Sequence, residues 1–185
     1  MELILASNSP RRKQLLTEYG FDFKVVGSNF SEQTLDLSPE QTVKVNALGK
    51  AKDVFESVGC SDAIVLGSDT VVELGGVILG KPKDSNHAEQ MLKSLSNKTH
   101  SVWTGVAIIT KTEKMVFAEQ TKVIFNKLSN ELIAEYVKTG KPLDKAGAYG
   151  IQDGFDLVKR FDGSFNNVVG LPIEKFASLL KNLLK

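Results

Sequence analysis

Several short stretches of this sequence carry side chains that could act on a phosphate. Ser7-Asn8-Ser9-Pro10-Arg11-Arg12 sets hydroxyls and two guanidinium groups where an apolar run gives way to a helix start. The first amides of a helix lack internal partners and the macrodipole is positive there. Arginines in that first turn are misplaced unless an anion binds and draws amides, hydroxyls and guanidinium groups together. The alternative is an exposed basic helix start with Arg12 lying along the surface. At about 100° per residue, Arg12 falls on the side of Leu15, Leu16 and Tyr19, whereas Lys13 points away.

Lys50 gives a similar signal. Val43, Ala47 and Val54 form an apolar helical stripe, and Lys50 lands within about 20° of its centre while Lys52 lies opposite. A lysine there must reach water or an anion, and snorkelling at a helix edge explains it equally well. Asp69, in Gly67-Ser68-Asp69-Thr70, interrupts an apolar run and shares strand parity with Ala63, Val65 and Val71. It either projects into an enclosed space, where it needs donors, a cation or metal, or caps a turn or bulge marked by Gly67. Gly80-Lys81-Pro82 puts a cation at a strand end. In Asp144-Lys145-Ala146-Gly147-Ala148-Tyr149-Gly150-Ile151-Gln152, glycines allow close backbone approach, Lys145 offers charge and Gln152 a carboxamide. An ordinary glycine-containing surface loop has the same composition.

Cations, hydroxyls and a few acids near strand ends suit a polyphosphate and a divalent metal better than acyl transfer. Neither a Walker A loop nor a dinucleotide-binding glycine fingerprint is present, and no Ser–His–Asp signature is discernible. His87 and His100 lack metal-motif spacing, Cys60 lacks a nearby base in sequence, and Trp103 and the other aromatics are scattered. These residues read as structural.

The elements that must position the candidates alternate. Leu3–Ala6 reads as a buried strand, followed by a helix with Ser9 as N-cap, Pro10 in its first turn and Gly20 beyond its end. Phe21 to Val25 alternates as a strand. Ser38 and Gln41 have capping-box spacing at the start of a second helix that Gly59 ends. Ala63–Leu66 and Thr70–Val72 read as extended, Gly75-Gly76 as a hairpin into Val77–Leu79, and Ser85 to Leu95 as a helix. Strands follow near Ser101–Ile109 and Met115–Phe125. A helix then runs from Ser129 to Gly140, an irregular stretch from Lys141 to Gln152, and a strand over Phe155–Phe161. Asp162-Gly163 is a turn, and Pro172 opens a terminal helix. This mixture of hairpins and crossovers predicts an α/β fold with a mixed sheet.

The chain has 185 residues, 42% of them hydrophobic and 24% charged. A chain of this size buries roughly 70% of its unfolded surface, so a real core is available. Lysine plus arginine number 23 against 22 acidic residues, a net charge of +1, which gives no bulk attraction to nucleic acid or acidic membranes. One cysteine, Cys60, excludes an internal disulfide. No apolar run approaches the ~18 residues of a membrane span, and Met1 to Ser7 lacks the core of a signal peptide. A soluble cytoplasmic protein is expected.

The sequence resembles the Maf family of nucleoside triphosphate pyrophosphatases over essentially its whole length, 1–185, as one domain. The matching segments are Ala6 to Arg12, Gly67 to Thr70, Gly80 to Pro82, Asp144 to Gln152, and Val168-Val169-Gly170-Leu171-Pro172, specific in their order and spacing. The resemblance implies an elongated mixed sheet with flanking helices and two lobes around a deep cleft, related to the inosine triphosphate pyrophosphatases. It implies hydrolysis of a triphosphate to monophosphate and pyrophosphate with Mg²⁺ or Mn²⁺. Asp69 matches the acid–base position, with Glu32, Lys50 and Lys81 as further catalytic positions. Base action and metal holding are left divided between Asp69 and Glu32. Ser7, Arg11, Arg12 and Lys145 are assigned to substrate binding, and Arg12, Thr70 and Gln152 to specificity. Thr70 and Gln152 match the branch that cleaves dTTP, UTP and modified pyrimidine analogues. Ser68 departs from it and occurs in the branch linked to methylated GTP, which stands as the alternative. From another class, a nucleotide-binding regulator of septum formation would use the same pocket. A homodimer is compatible with the family.

Overall fold

The computed structural model describes residues 1–33, 37–59 and 62–183 of the protein, so Cys60 and the centre of the polar stretch after Ser28 lie outside the described residues. The chain divides into two compact units. The first comprises Met1–Asp69, Thr104–Glu119 and Gly170–Lys185, and the second Thr70–Trp103 and Gln120–Val169.

In the first unit, strand β1 (Glu2–Leu5) lies between β2 (Lys24–Val25) and β3 (Ala63–Leu74), parallel to both. Leu3, Ile4 and Leu5 are all buried there. Helix α1 (Pro10–Glu18) buries Leu15 and Leu16, while Tyr19 is exposed and hydrogen-bonds Glu174. Helix α2 (Pro39–Ser57) opens with the expected capping box, in which Ser38 Oγ accepts from the Gln41 amide and Gln41 Oε1 accepts from the Ser38 amide. Its inner face buries Ala47, Ala51 and Val54 against Ile4, Ala6, Val65 and Ala107, and Val43 is buried one turn earlier.

Two glycines let α2 lie close on the sheet. A Cβ on Gly67 of β3 would sit 2.2 Å from the Ala47 carbonyl oxygen, and one on Gly105 would sit 2.2 Å from that of Val43. Gly105 belongs to β5 (Thr99–Ile109), the neighbour of β3 in the sheet. Strand β3 runs from Ala63 through Asp69 to Leu74, so Asp69 stands inside a strand and does not cap a turn.

In the second unit β3 turns at Gly75 and Gly76, both at positive φ, into the antiparallel β4 (Val77–Leu79). Helix α3 (Ser85–Leu95), capped by Asp84, and α4 (Asn130–Lys138), capped by Ser129, pack Leu92, Leu95, Ile133 and Tyr136 into a core with Val102, Val123 and Phe125. The sheet runs β2-β1-β3-β5-β6-β7, with β4 beside β3, where β6 is Lys114–Phe125 and β7 is Val158–Asp162. Strands β3, β5 and β6 contribute residues to both units. The mixed sheet expected from the sequence is present. No helix among the described residues is long and apolar enough to cross a membrane.

The structure departs from expectation at several boundaries. Ser9 occupies the N-cap of α1, but its side chain makes no capping bond, and its amide instead donates to Ser7 Oγ at 3.2 Å. The strand expected from Phe21 shrinks to Lys24–Val25, since the Phe21 ring packs on Phe176, centroids 5.5 Å apart. The strand expected from Phe155 starts at Val158, because Phe155 stacks against Tyr136. A short helix, α5 (Phe165–Val169), precedes the terminal α6 (Ile173–Leu183) and has no periodic signal at five residues. It is anchored by Asn167, whose amide donates to Ser164 Oγ and whose buried Nδ2 donates to Val102 O and Thr121 Oγ1.

The helix–sheet contact is testable by adding one methyl group. Gly67→Ala is expected to lower stability by about 3 kcal/mol in urea unfolding, whereas Gly80→Ala, which meets nothing within 4 Å, stays within about 0.5 kcal/mol of the parent. Equal stabilities would contradict the close packing.

Candidate active site

Asp69 sits on β3 facing α2, with its side chain only 7% exposed. A carboxylate in that position must be paired. Lys50 Nζ supplies the cation, 2.8 Å from Asp69 Oδ1, and also lies 2.6 Å from Glu32 Oε1. Asn46, one helical turn before Lys50, donates from Nδ2 to Asp69 Oδ2 at 3.1 Å. One ammonium thus holds two carboxylates from segments remote in sequence. The inward reading of Lys50 and the enclosed reading of Asp69 hold, and Lys52 is exposed as expected.

Glu32 belongs to a polar segment that α2 holds at successive points. Asp53 Oδ2 accepts from Ser28 Oγ and from the Asn29 amide, each at 2.7 Å, and these bonds lower the Asp53 pKa below its ordinary value. The Phe30 ring lies so close to the helix that a Cβ on Gly49 would sit 2.3 Å from it. Asn46 Oδ1 accepts from the Gln33 amide at 2.9 Å. The Glu32 side chain itself is half exposed.

Arg12 belongs to the same constellation. Its Nε donates to the Gly170 carbonyl at 2.8 Å and its Nη1 to Ser7 Oγ at 3.1 Å. Burial lowers its pKa to about 10, and Arg11 acts in the same direction, while the carboxylates of Asp69 and Glu32 oppose both. The side chain is therefore a cation at neutral pH that feels both acids. No acidic residue occupies the first turn of α1, where the helix dipole is positive. The Gly170 carbonyl also accepts from Ser68 Oγ at 3.1 Å.

Thr70, Lys81, Lys145 and Gln152 belong to the second unit. Thr70 is half-buried on β3, Lys81 is exposed just beyond β4, and Gln152 is exposed in a turn. The Gly147 amide donates to Gly80 O at 3.0 Å, tying the 145–152 loop beside Lys81. Gly147 stands at φ +67, and a Cβ there would sit 2.8 Å from Val72 Cγ2, which explains the glycine. Lys145 is buried and turned onto its own loop, bonding Lys141 O at 2.6 Å and Asp144 Oδ1 at 2.8 Å, with Asp153 Oδ2 at 3.4 Å. His100 is buried against Phe125 and bonds the Tyr149 hydroxyl at 2.8 Å; burial lowers its pKa to about 4, leaving it neutral. His87 accepts from the Lys83 amide.

Asn46 and Asp53 escaped the sequence reading. Both stand within a turn of Lys50 on α2, and that spacing was the available signal.

Among the described residues no group of three His, Cys, Asp or Glu side chains converges as a metal cage. Asp69 and Glu32 are hard oxygen donors, the type and number that suit Mg²⁺ or Mn²⁺ when substrate phosphates and water complete the shell. The donor set fits a divalent metal whose shell phosphates and water would complete.

Removing the cation tests the pairing. Lys50→Met should cost about 3–5 kcal/mol in urea unfolding, because it strands a buried carboxylate, and adding Asp69→Asn should restore most of the loss. A single variant as stable as the parent would contradict the pairing.

Relatives named dTTP/UTP pyrophosphatase are found in Thermosipho melanesiensis, 45% identical over 97% of this chain and 97% of that protein, and in Alkaliphilus oremlandii, 49% identical over 98% and 95%. A HAM1 protein from Coxiella burnetii has the same fold, with a TM-score of 0.58 at 12% identity, covering 98% of this chain and 99% of that one. The family described as Maf-like protein matches residues 2–183. With that match and these relatives, the chain belongs to the Maf family.

Proposed function

We propose that this protein hydrolyses a pyrimidine nucleoside triphosphate, dTTP or UTP, to the monophosphate and pyrophosphate. The observation that carries the reading is Lys50 clasping Asp69 and Glu32, with Arg12 feeling both acids. Relatives sharing nearly the whole chain are named for that activity.

In this reading Arg11 and Arg12 bind the phosphates at the start of α1, where the helix dipole favours negative charge. Gly170 and Ser7 hold the Arg12 fork in place, so less freedom is lost when phosphate arrives. Asp69 orients a water and takes its proton as the water oxygen bonds to the α-phosphorus. The bond from that phosphorus to the bridging oxygen breaks, and pyrophosphate leaves with the electron pair. Lys50 keeps the two carboxylates together and balances their charge. Asp69 and Glu32 would hold a divalent cation together with the phosphates, which would supply further charge neutralisation and lower the pKa of a bound water. Lys81 adds a cation for the polyphosphate. Lys145 fixes the loop that carries Gln152, its ammonium already met by Asp144 and Asp153. Thr70 and Gln152 choose the base, since a site built to hydrogen-bond one base rejects others that leave its groups unpaired.

The buried Ser68 hydroxyl donates to the Gly170 carbonyl, so a contact within the protein accounts for it in the pyrimidine reading. The chain acts as one catalytic domain on free nucleotides, in the cytoplasm and as a homodimer. The near-zero net charge supports nucleotides over nucleic acid.

A screen of canonical and modified triphosphates with Mg²⁺ or Mn²⁺, scored by pyrophosphate and monophosphate release, should give turnover strongest with dTTP or UTP. Asp69→Asn should fold and lose at least about a hundredfold in kcat. Preferential turnover of methylated GTP would overturn the pyrimidine assignment. Tight binding without turnover would replace the enzyme with a nucleotide-binding regulator.

A further inference from the structure

Resting on that reading and deepening it, we propose that Asn46 is a positioning residue that locks the Asp69 carboxylate and the Glu32 segment into one rigid unit. Asn46, Gly49, Lys50 and Asp53 share one face of α2, at helical positions i, i+3, i+4 and i+7. Together they hold the segment from Ser28 to Gln33 at successive points. Asp53 takes Ser28 and Asn29, Gly49 takes the Phe30 ring, Lys50 takes Glu32, and Asn46 takes Gln33. Of these, Asn46 and Lys50 also hold Asp69.

The Asn46 amide is used at both ends. Its Oδ1 accepts from the Gln33 amide, and its Nδ2 donates to Asp69 Oδ2 at 3.1 Å and reaches the Gln33 carbonyl at 3.4 Å. The orientation has one solution. Turned over, the amide would set an oxygen against a carboxylate and an N–H against an N–H. The side chain is only 3% exposed, and a polar group so deep in an apolar helix face is tolerated because it is paired.

With Lys50 on Oδ1 and Asn46 on Oδ2, the plane of the Asp69 carboxylate is fixed from two sides. Lys50 alone would let that plane swing about the single contact. A base held at one angle to its water accelerates the chemical step without tightening the substrate, which is gripped by other groups. The lock therefore acts on kcat rather than on KM.

Two variants test this. Asn46→Leu keeps the branched shape and removes both kinds of bond; Asn46→Asp keeps an acceptor for the Gln33 amide and replaces the donor to Asp69 with an oxygen. Both should lose roughly ten- to a hundredfold in kcat, with KM within about threefold, and the leucine variant should show a lowered urea midpoint while remaining folded without urea. Hydrogen exchange at the Gln33 amide should speed up in Asn46→Leu and stay protected in Asn46→Asp. The proposal is overturned if Asn46→Leu keeps kcat within about twofold, or if the loss falls on KM. Should the leucine variant fold poorly, parental kcat in Asn46→Asp overturns it. A parent that turns over no triphosphate overturns the enzyme reading and this proposal together, whereas an active parent with active variants overturns the proposal alone.

Discussion

A carboxylate on the buried face of a central strand cannot stand without a cation, and Asp69 has Lys50. Much of the first unit follows from bringing those two groups together. Helix α2 must approach β3 closely enough for its side chains to reach across, and Gly67 and Gly105 remove the methyl groups that would hold it away. The same face then gathers the segment from Ser28 to Gln33, so that Glu32 shares the ammonium with Asp69. Local helix periodicity thus becomes a three-group electrostatic cluster.

Arg12 meets that cluster from a different element. Its fork is fixed by the Gly170 carbonyl, which also accepts from the buried Ser68 next to Asp69. One backbone oxygen ties the first helix, the central strand and the C-terminal segment. The second unit is organised differently. Its lysine, Lys145, is neutralised at home by Asp144 and Asp153, and the Gly147 amide fastens the loop beside Lys81. That loop is built for a fixed shape first and presents Gln152 at its exposed edge.

What the sequence made legible is what periodicity reports. The wheel position of Lys50 and the strand parity of Asp69 point inward, and both side chains do so. The capping box at Ser38 and the hairpin at Gly75-Gly76 were readable because each rests on local chemistry. Glu32 was legible only through the family pattern, since a polar segment has no period and its partner lies eighteen positions away on a helix. Asn46 was hidden by its neighbours. An amide among apolar stripe residues does not reveal a partner on another strand. Phe21 and Phe155 misled because alternating aromatics suggest a strand, whereas their rings pack on Phe176 and Tyr136 outside any ladder. The short helix at Phe165 depends on long-range bonds from Asn167 that no local signal announces.

The central claim is that the Asp69 cluster directs water at the α-phosphorus of a bound triphosphate. Hydrolysis of UTP or dTTP in ¹⁸O-enriched water, followed by mass spectrometry of both products, addresses it directly. The account predicts one labelled oxygen in the nucleoside monophosphate and none in the pyrophosphate. Label carried by the pyrophosphate would mean attack at the β-phosphorus and would contradict it.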